Sequence, residues 1–368
     1  MITDKMTYRW LWSCLIAGGL LLMTACSDRN EELLQPSPEL QPEQGSPLEL
    51  RSVTRTSGAT QIGDATCPDI KVILTSETEE IQNGRFKYVT GTGWTSDLSV
   101  KEERQYYLYG YMPETITGST ITWTKPEGGN YSDGIDFSMT NLPAITTDDV
   151  SVIVGVERVD GTTTDTPNVT PGEFSYLSGI WGKNFVNLLM GHIYSGLELN
   201  FKLNAEYARL RSIHLKKITL STSSGHVNAT IKLRQGKEKG IDQTTFTEVE
   251  GSSVSAPITM LNAESAETVL DDRYTVTPLK ISKMAYCFPS IFAAGGATLS
   301  IETTYDVYDR TKKKNLGERI STNKLRITTE SGIKPGQKKT VILTVQPTYL
   351  YVLSDGDLDI PEIIGEIN

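Results

Sequence analysis

Three histidines, His192, His214 and His226, are all that 368 residues offer of the side chain most used as general base and metal ligand. None stands in an HExxH or HxH pattern. His192 opens an alternating run, His214 lies within the run 213–220 on the face opposite Ile213 and Leu215, and His226 follows Gly225 in a turn. Paired carboxylates occur as Glu79-Glu80, Glu102-Glu103, Asp148-Asp149 and Asp271-Asp272. On a strand, adjacent side chains point to opposite faces, so such pairs cannot act together on one glycosidic bond. They read as solvated loop residues. Asp355-Gly356-Asp357-Leu358-Asp359 resembles part of a calcium loop but lacks the distal Glu, and reads as an exposed acidic turn. No GxSxG, Walker A or GxGxxG pattern is present. The chain is therefore expected to carry no catalytic site, no cofactor and no metal. Trp94, Trp123, Trp181, Tyr131 and Tyr176 fall near loops, where aromatic rings either stack on sugars or pack into a core.

One cysteine points to a specific reaction. Lys5 and Arg9 precede an uncharged apolar run over 11–22, which is too short to span a bilayer as a helix but suits a signal peptide. The run ends in Met23-Thr24-Ala25-Cys26, similar to a bacterial lipobox, in which the Cys thiol receives a diacylglyceryl group and the chain is cut before it. Several acyl chains anchor firmly where one is marginal. Residues 1–25 thus read as a lipoprotein signal peptide. Residues 26–46 read as an acylated Cys26 followed by an acidic, Pro-rich tether, with Pro36, Pro38 and Pro42 favouring an extended course. Asp28, Glu31 and Glu32 resemble a surface-export signal. Cys14 is an apolar residue of the signal, and Cys67 and Cys287 either pair or sit as small buried side chains.

The remainder reads as strands. Period-two alternation marks 48–53, 86–89, 106–111, 120–124, 151–156, 196–203, 213–220, 229–233, 297–308 and 339–345. Turn signals such as Pro126-Glu127-Gly128-Gly129-Asn130, Asp160-Gly161 and Lys334-Pro335-Gly336 separate them. One apolar and one polar face implies antiparallel sheets half open to solvent. The stretch 182–192 breaks the pattern and reads as a short helix or irregular crossover. A domain change near residue 190 leaves 47–190 and 191–368, each the size of a β-sandwich. With 45 acidic against 35 basic residues, a net charge of -10 and no basic tract, nucleic acid is not an expected partner.

Taken together, several stretches resemble the fimbrillin family of Bacteroidetes, lipoprotein precursors of cell-surface fimbriae. They are Cys26 with its tether, the run 48–56 (LELRSVTRT), the mid-chain run 192–203 (HIYSGLELNFKL) with 217–220, and 303–309 followed by Lys334-Pro335-Gly336-Gln337 and Val345-Gln346-Pro347-Thr348. Their order and spacing carry the likeness. The resemblance implies an all-β fold of two transthyretin-like antiparallel β-sandwich domains, an outer-membrane and cell-surface or fimbrial location through lipid on Cys26, and other fimbrial subunits as partners. It also implies an Arg-specific protease that removes the first strand, after which a neighbouring subunit's strand fills the groove. Arg55 is the preferred cut, since it frees all of 48–53, and Arg51 the second, with Arg85 and Arg104 left open. Apolar clusters at 349–353 and 360–364 could supply a donor strand or cap their own domain. Host or bacterial surface ligands are further expected partners. The alternative is a glycan-binding surface lipoprotein of a polysaccharide-uptake system.

Overall fold

The computed structural model describes residues 45–56, 67–78, 80–160, 167–180, 184–251, 254–263, 268–289, 297–326, 334–348 and 357–367. Residues 1–25, Cys26, nearly all of the tether, Trp181 and the cluster 349–353 lie outside them. The protein is all-β. Every alternating run named above is a strand, usually longer by a few residues: 106–111 becomes Gln105–Met112 and 213–220 becomes Arg211–Thr222. Among the described residues one α-helix occurs, Ala205–Leu210, started by Asn204, whose side chain accepts from the amides of Glu206 and Tyr207.

Residues 182–192 correct the expectation of a helix or crossover. Phe185–His192 is a strand, paired antiparallel with Ser151–Val159 and parallel with Glu49–Arg55. It does not alternate because both of its faces are buried, and a strand covered on both sides reads as a continuous apolar run. Ile70–Ser76 escapes a period-two reading for the same reason. Lys314–Arg326 escapes for the opposite one. It forms the edge of the sheet ordered Ile258–Asn262, Arg211–Thr222, Thr298–Asp309, Lys314–Arg326, and it is mostly polar. Charged residues along an exposed edge discourage pairing with other chains.

The sheet that matters most for function has eight strands. Its main path runs Glu49–Arg55, Phe185–His192, Ser151–Val159, Gln105–Met112, Ile70–Ser76, Ile81–Val89, Gly93–Ser96. The sheet curls until its two edges meet, Glu49–Arg55 lying against Gly93–Ser96. Inside the curl is a core of Leu48, Leu50, Val53, Val72, Leu74, Leu108, Tyr176, Val186, Leu188 and their neighbours. The other face carries Ile73, Tyr109, Tyr111, Val152 and Val154, part of a second core continuous with the C-terminal half.

The halves on either side of residue 190 share backbone pairing as well as that core. Gly134–Pro143 pairs with His226–Arg234, and Ile145–Thr146 with Ala285–Cys287. Among the described strands two pairings are parallel, which half-open antiparallel sheets did not lead one to expect: Glu49–Arg55 with Phe185–His192, and Ser195–Leu203 with Lys338–Thr348. In the second pair Glu198 receives Lys338 at 3.0 Å and Lys280 at 2.7 Å. Burial works against its ionisation, but hydrogen bonds from the two lysines prevail and hold its carboxyl below the usual range.

A lowered folded pKa stabilises above the unfolded value and loses that contribution as pH falls through the folded one. Glu198→Gln should therefore lower unfolding free energy by about 1 kcal/mol at neutral pH, the two lysines being half exposed. The difference should shrink steadily below about pH 4. Urea unfolding of both proteins across that range checks it.

Candidate functional site

The N-terminal segment holds its place through backbone pairing on two sides and a set of buried side chains: Ser46–Pro47 pairs antiparallel with Ser99–Val100, and the longer strand that follows, the first of the curled sheet, pairs parallel with Phe185–His192. Glu49–Arg55 is seven residues at the open edge of the curled sheet. Its amides are secured at both ends, Glu49 N–H donating to Asn184 O at 2.8 Å and Thr56 N–H to Met190 O at 3.0 Å. Just before it, Leu48 N–H donates to Leu98 O at 3.0 Å. Leu48 and Val53 are fully buried and Leu50 nearly so, worth about 1.5–3 kcal/mol each. Ser52 Oγ donates to Asn187 Oδ1 at 2.6 Å, and Asn187 Nδ2 donates to Glu157 Oε2 at 2.9 Å. The register slips by one residue between Leu50↔Val186 and Ser52↔Asn187. Arg51 is thus a bulge residue. Its guanidinium lies 3.6 Å from the centre of the Phe185 ring, a cation–π contact on an exposed surface.

At the strand's end Arg55 enters a polar socket. Its Nη1 is 3.0 Å from Asp149 Oδ2, and the side chains are 24% and 4% exposed. The other carboxylate oxygen, Oδ1, lies 2.8 Å from His192 Nδ1. Tyr286 is close enough to feel both charges: its ionisation is pushed up chiefly by burial and then by the Asp149 charge, with Arg55 acting the other way. Among the described residues Asp149 Oδ2 has this ion pair and no hydrogen bond. The socket draws on four places in the chain: the first strand, the turn before Ser151–Val159, the end of Phe185–His192, and Ala285–Cys287.

The structure thus brings the two preferred arginines to one strand and treats them differently. Arg51 points outward and Arg55 is bolted down. Arg85, also left open as a cut, is half exposed beside Glu114, Asp69 and Asp97, and Arg104 faces Glu80. The Asp148-Asp149 pair corrects the reading of solvated loop residues, since Asp149 is buried and its neighbour exposed. No sequence signal marks the difference, because the partners of Asp149 lie 43 and more positions away, as His192 does. Cys67 is partly buried and Cys287 fully, and the two are not bonded to each other, which removes the disulfide alternative. His214 stacks on Tyr308 with ring centres 5.4 Å apart. Among the aromatics, Tyr176 is buried with its hydroxyl donating to Asn184 Oδ1 at 2.9 Å, which removes it from any sugar-facing surface. Trp94 packs edge-on to Tyr88, and Trp123 edge-on to Tyr131 with Lys125 over the Tyr131 ring. Among the described residues no cluster of His, Cys, Asp and Glu is arranged to hold a metal. At the other end of the chain, Asp357–Ile367 pairs antiparallel with Lys338–Thr348 as the edge of its own sheet.

No family model and no curated protein matches the chain. Among solved structures, a fimbrial protein from Bacteroides vulgatus is 12% identical, covers 87% of this chain and 99% of its own, and superposes with a TM-score of 0.41. The fimbrial anchor protein Mfa2 from Porphyromonas gingivalis is 10% identical over 88% of this chain and 97% of its own, with a TM-score of 0.23. A candidate polysaccharide-binding protein from Bacteroides thetaiotaomicron is 7% identical over 81% and 92%, with a TM-score of 0.35. Two of these three are fimbrial proteins. At such scores the superposition transfers no role to any residue.

Asp149→Ala leaves the Arg55 guanidinium half-buried without its counter-charge. It should cost about 3 kcal/mol in urea unfolding. It should also speed tryptic cleavage after Arg55 relative to Arg51, read by mass spectrometry of the released fragments.

Proposed function

We propose that this protein is a surface-anchored subunit of a fimbrial or adhesive assembly, without catalytic activity. In this reading it is carried to the outer membrane by lipid on Cys26 and matured by an Arg-specific protease at Arg55, with Arg51 as the lesser site. The observation that carries the reading is the first strand itself. Among the described strands Glu49–Arg55 pairs with Phe185–His192 alone, closes the seam of a curled sheet, and keeps Leu50 and Val53, with Leu48 just ahead of it, in the core. Its removal would expose an apolar groove flanked by unpaired amides and carbonyls of Phe185–His192, a template for another chain's strand. The sandwich bodies 47–190 and 191–368 would then be the acceptor and the carrier of the C-terminal edge strand. They would be held together by the pairing of Gly134–Pro143 with His226–Arg234.

Limited trypsin treatment of the folded protein should give an early cut after Arg55 or Arg51 and then oligomers on size exclusion. A protein that remains monomeric after that cut contradicts assembly. Cys26→Ser should move the protein from the membrane fraction to the soluble fraction of its cells, leaving the cut and the fold unchanged.

One observation favours a second reading, a glycan-binding surface protein. Trp123, Tyr131 and Lys125 form a half-exposed aromatic and cationic group on and beside the strand Thr120–Thr124. Under that reading Trp123→Ala abolishes retention on a polysaccharide column while the trypsin-treated protein stays monomeric.

A further inference from the structure

The following rests on the reading that the first strand leaves after a cut behind Arg55. Such a departure takes a cation away from a carboxylate that stays behind. Asp149 is 4% exposed, and among the described residues its Oδ2 has Arg55 as its one ionic partner. A buried carboxylate stripped of its counter-charge is costly, so whatever enters the groove is judged at this point as well as by its apolar side chains. His192 and Tyr286 complete the socket, the first facing Asp149 Oδ1 at 2.8 Å and the second lying near both charges.

The apolar requirement alone selects weakly. Leu48, Leu50 and Val53 are spaced i, i+2, i+5, the extra residue being absorbed by the bulge at Arg51. The chain's own tail has the same spacing in Leu358, Ile360 and Ile363, and in that register Pro361 falls on the bulge position. Proline is tolerated at a bulge. The charge requirement, however, is not met. In the same register Gly365 falls where Arg55 stands. No Lys or Arg occurs anywhere between residues 340 and 368, while Asp355, Asp357, Asp359, Glu362 and Glu366 are all acidic.

We propose that the opened groove accepts a strand from a subunit of different sequence, one carrying Lys or Arg seven positions after its first buried apolar residue. By the same token the groove discriminates against this chain's own tail. Asp149 is the residue that sets the preference. The assembly is therefore heterotypic at this end.

Full-length protein nicked by trypsin is incubated with fluorescent peptides, and binding is read by polarisation. The peptides are residues 47–56, the same with Arg55→Gln, the tail 356–368, and that tail with Gly365→Arg. The Arg55→Gln peptide should bind at least about thirtyfold more weakly than its parent, as expected for one partner of a buried charge pair. The Gly365→Arg tail should outbind the native tail. Both preferences should collapse to within about threefold on Asp149→Asn protein, as for a coupled pair in a double-mutant cycle. Equal binding of the Arg and Gln peptides, or tighter binding of the native tail, overturns the proposal. Absence of binding by every peptide overturns the removable strand and the proposal with it. In the uncut chain, Arg55→Gln and Asp149→Asn should be non-additive in urea unfolding, and strict additivity also counts against the socket.

Discussion

The curled sheet depends on a seam. Its two edges, Glu49–Arg55 and Gly93–Ser96, approach each other, so the N-terminal core is enclosed only while the first strand stays in place. That strand is joined to the rest by one parallel ladder to Phe185–His192, by the short antiparallel pairing of Ser46–Pro47 just ahead of it with Ser99–Val100, by the burial of Leu48, Leu50 and Val53, and by two arginines. Parallel pairing is slightly weaker per residue than antiparallel. What holds the strand is therefore mainly apolar area plus the Arg55 socket, and both can be supplied by another chain with the right side chains.

The two arginines divide the work. Arg51 sits on a bulge, covers the Phe185 ring and contributes little beyond surface packing. Arg55 reaches past the sheet to Asp149 and Tyr286, and Tyr286 belongs to a strand that pairs with Ile145–Thr146 and Ser195–Leu203. The end of the first strand is thus tied to Asp149 and lies near the C-terminal half. A cut at Arg51 would leave that tie in place, whereas a cut at Arg55 would release it.

Much of this was legible in the residues. Alternation gave the half-exposed strands, because one wet face leaves a period of two in the chain. Strands buried on both faces, Phe185–His192 and Ile70–Ser76, lack that period and were missed or misread. The run 48–56 stood out as a candidate strand bearing arginines, yet its edge position and parallel direction depend on a partner more than a hundred positions away. The socket was illegible for the same reason. Asp149, His192 and Tyr286 are ordinary in their own neighbourhoods and acquire a joint role only when four distant segments converge.

If Glu49–Arg55 is a separable part of an otherwise intact body, amide hydrogen exchange of Phe185–His192 should show it after tryptic nicking and removal of the freed segment. Amides on the edge facing the lost strand should become unprotected, those paired with Ser151–Val159 should stay protected, and added strand peptide should restore the former. Loss of protection throughout the sheet, or no change at Phe185–His192, would mean that the strand is not separable.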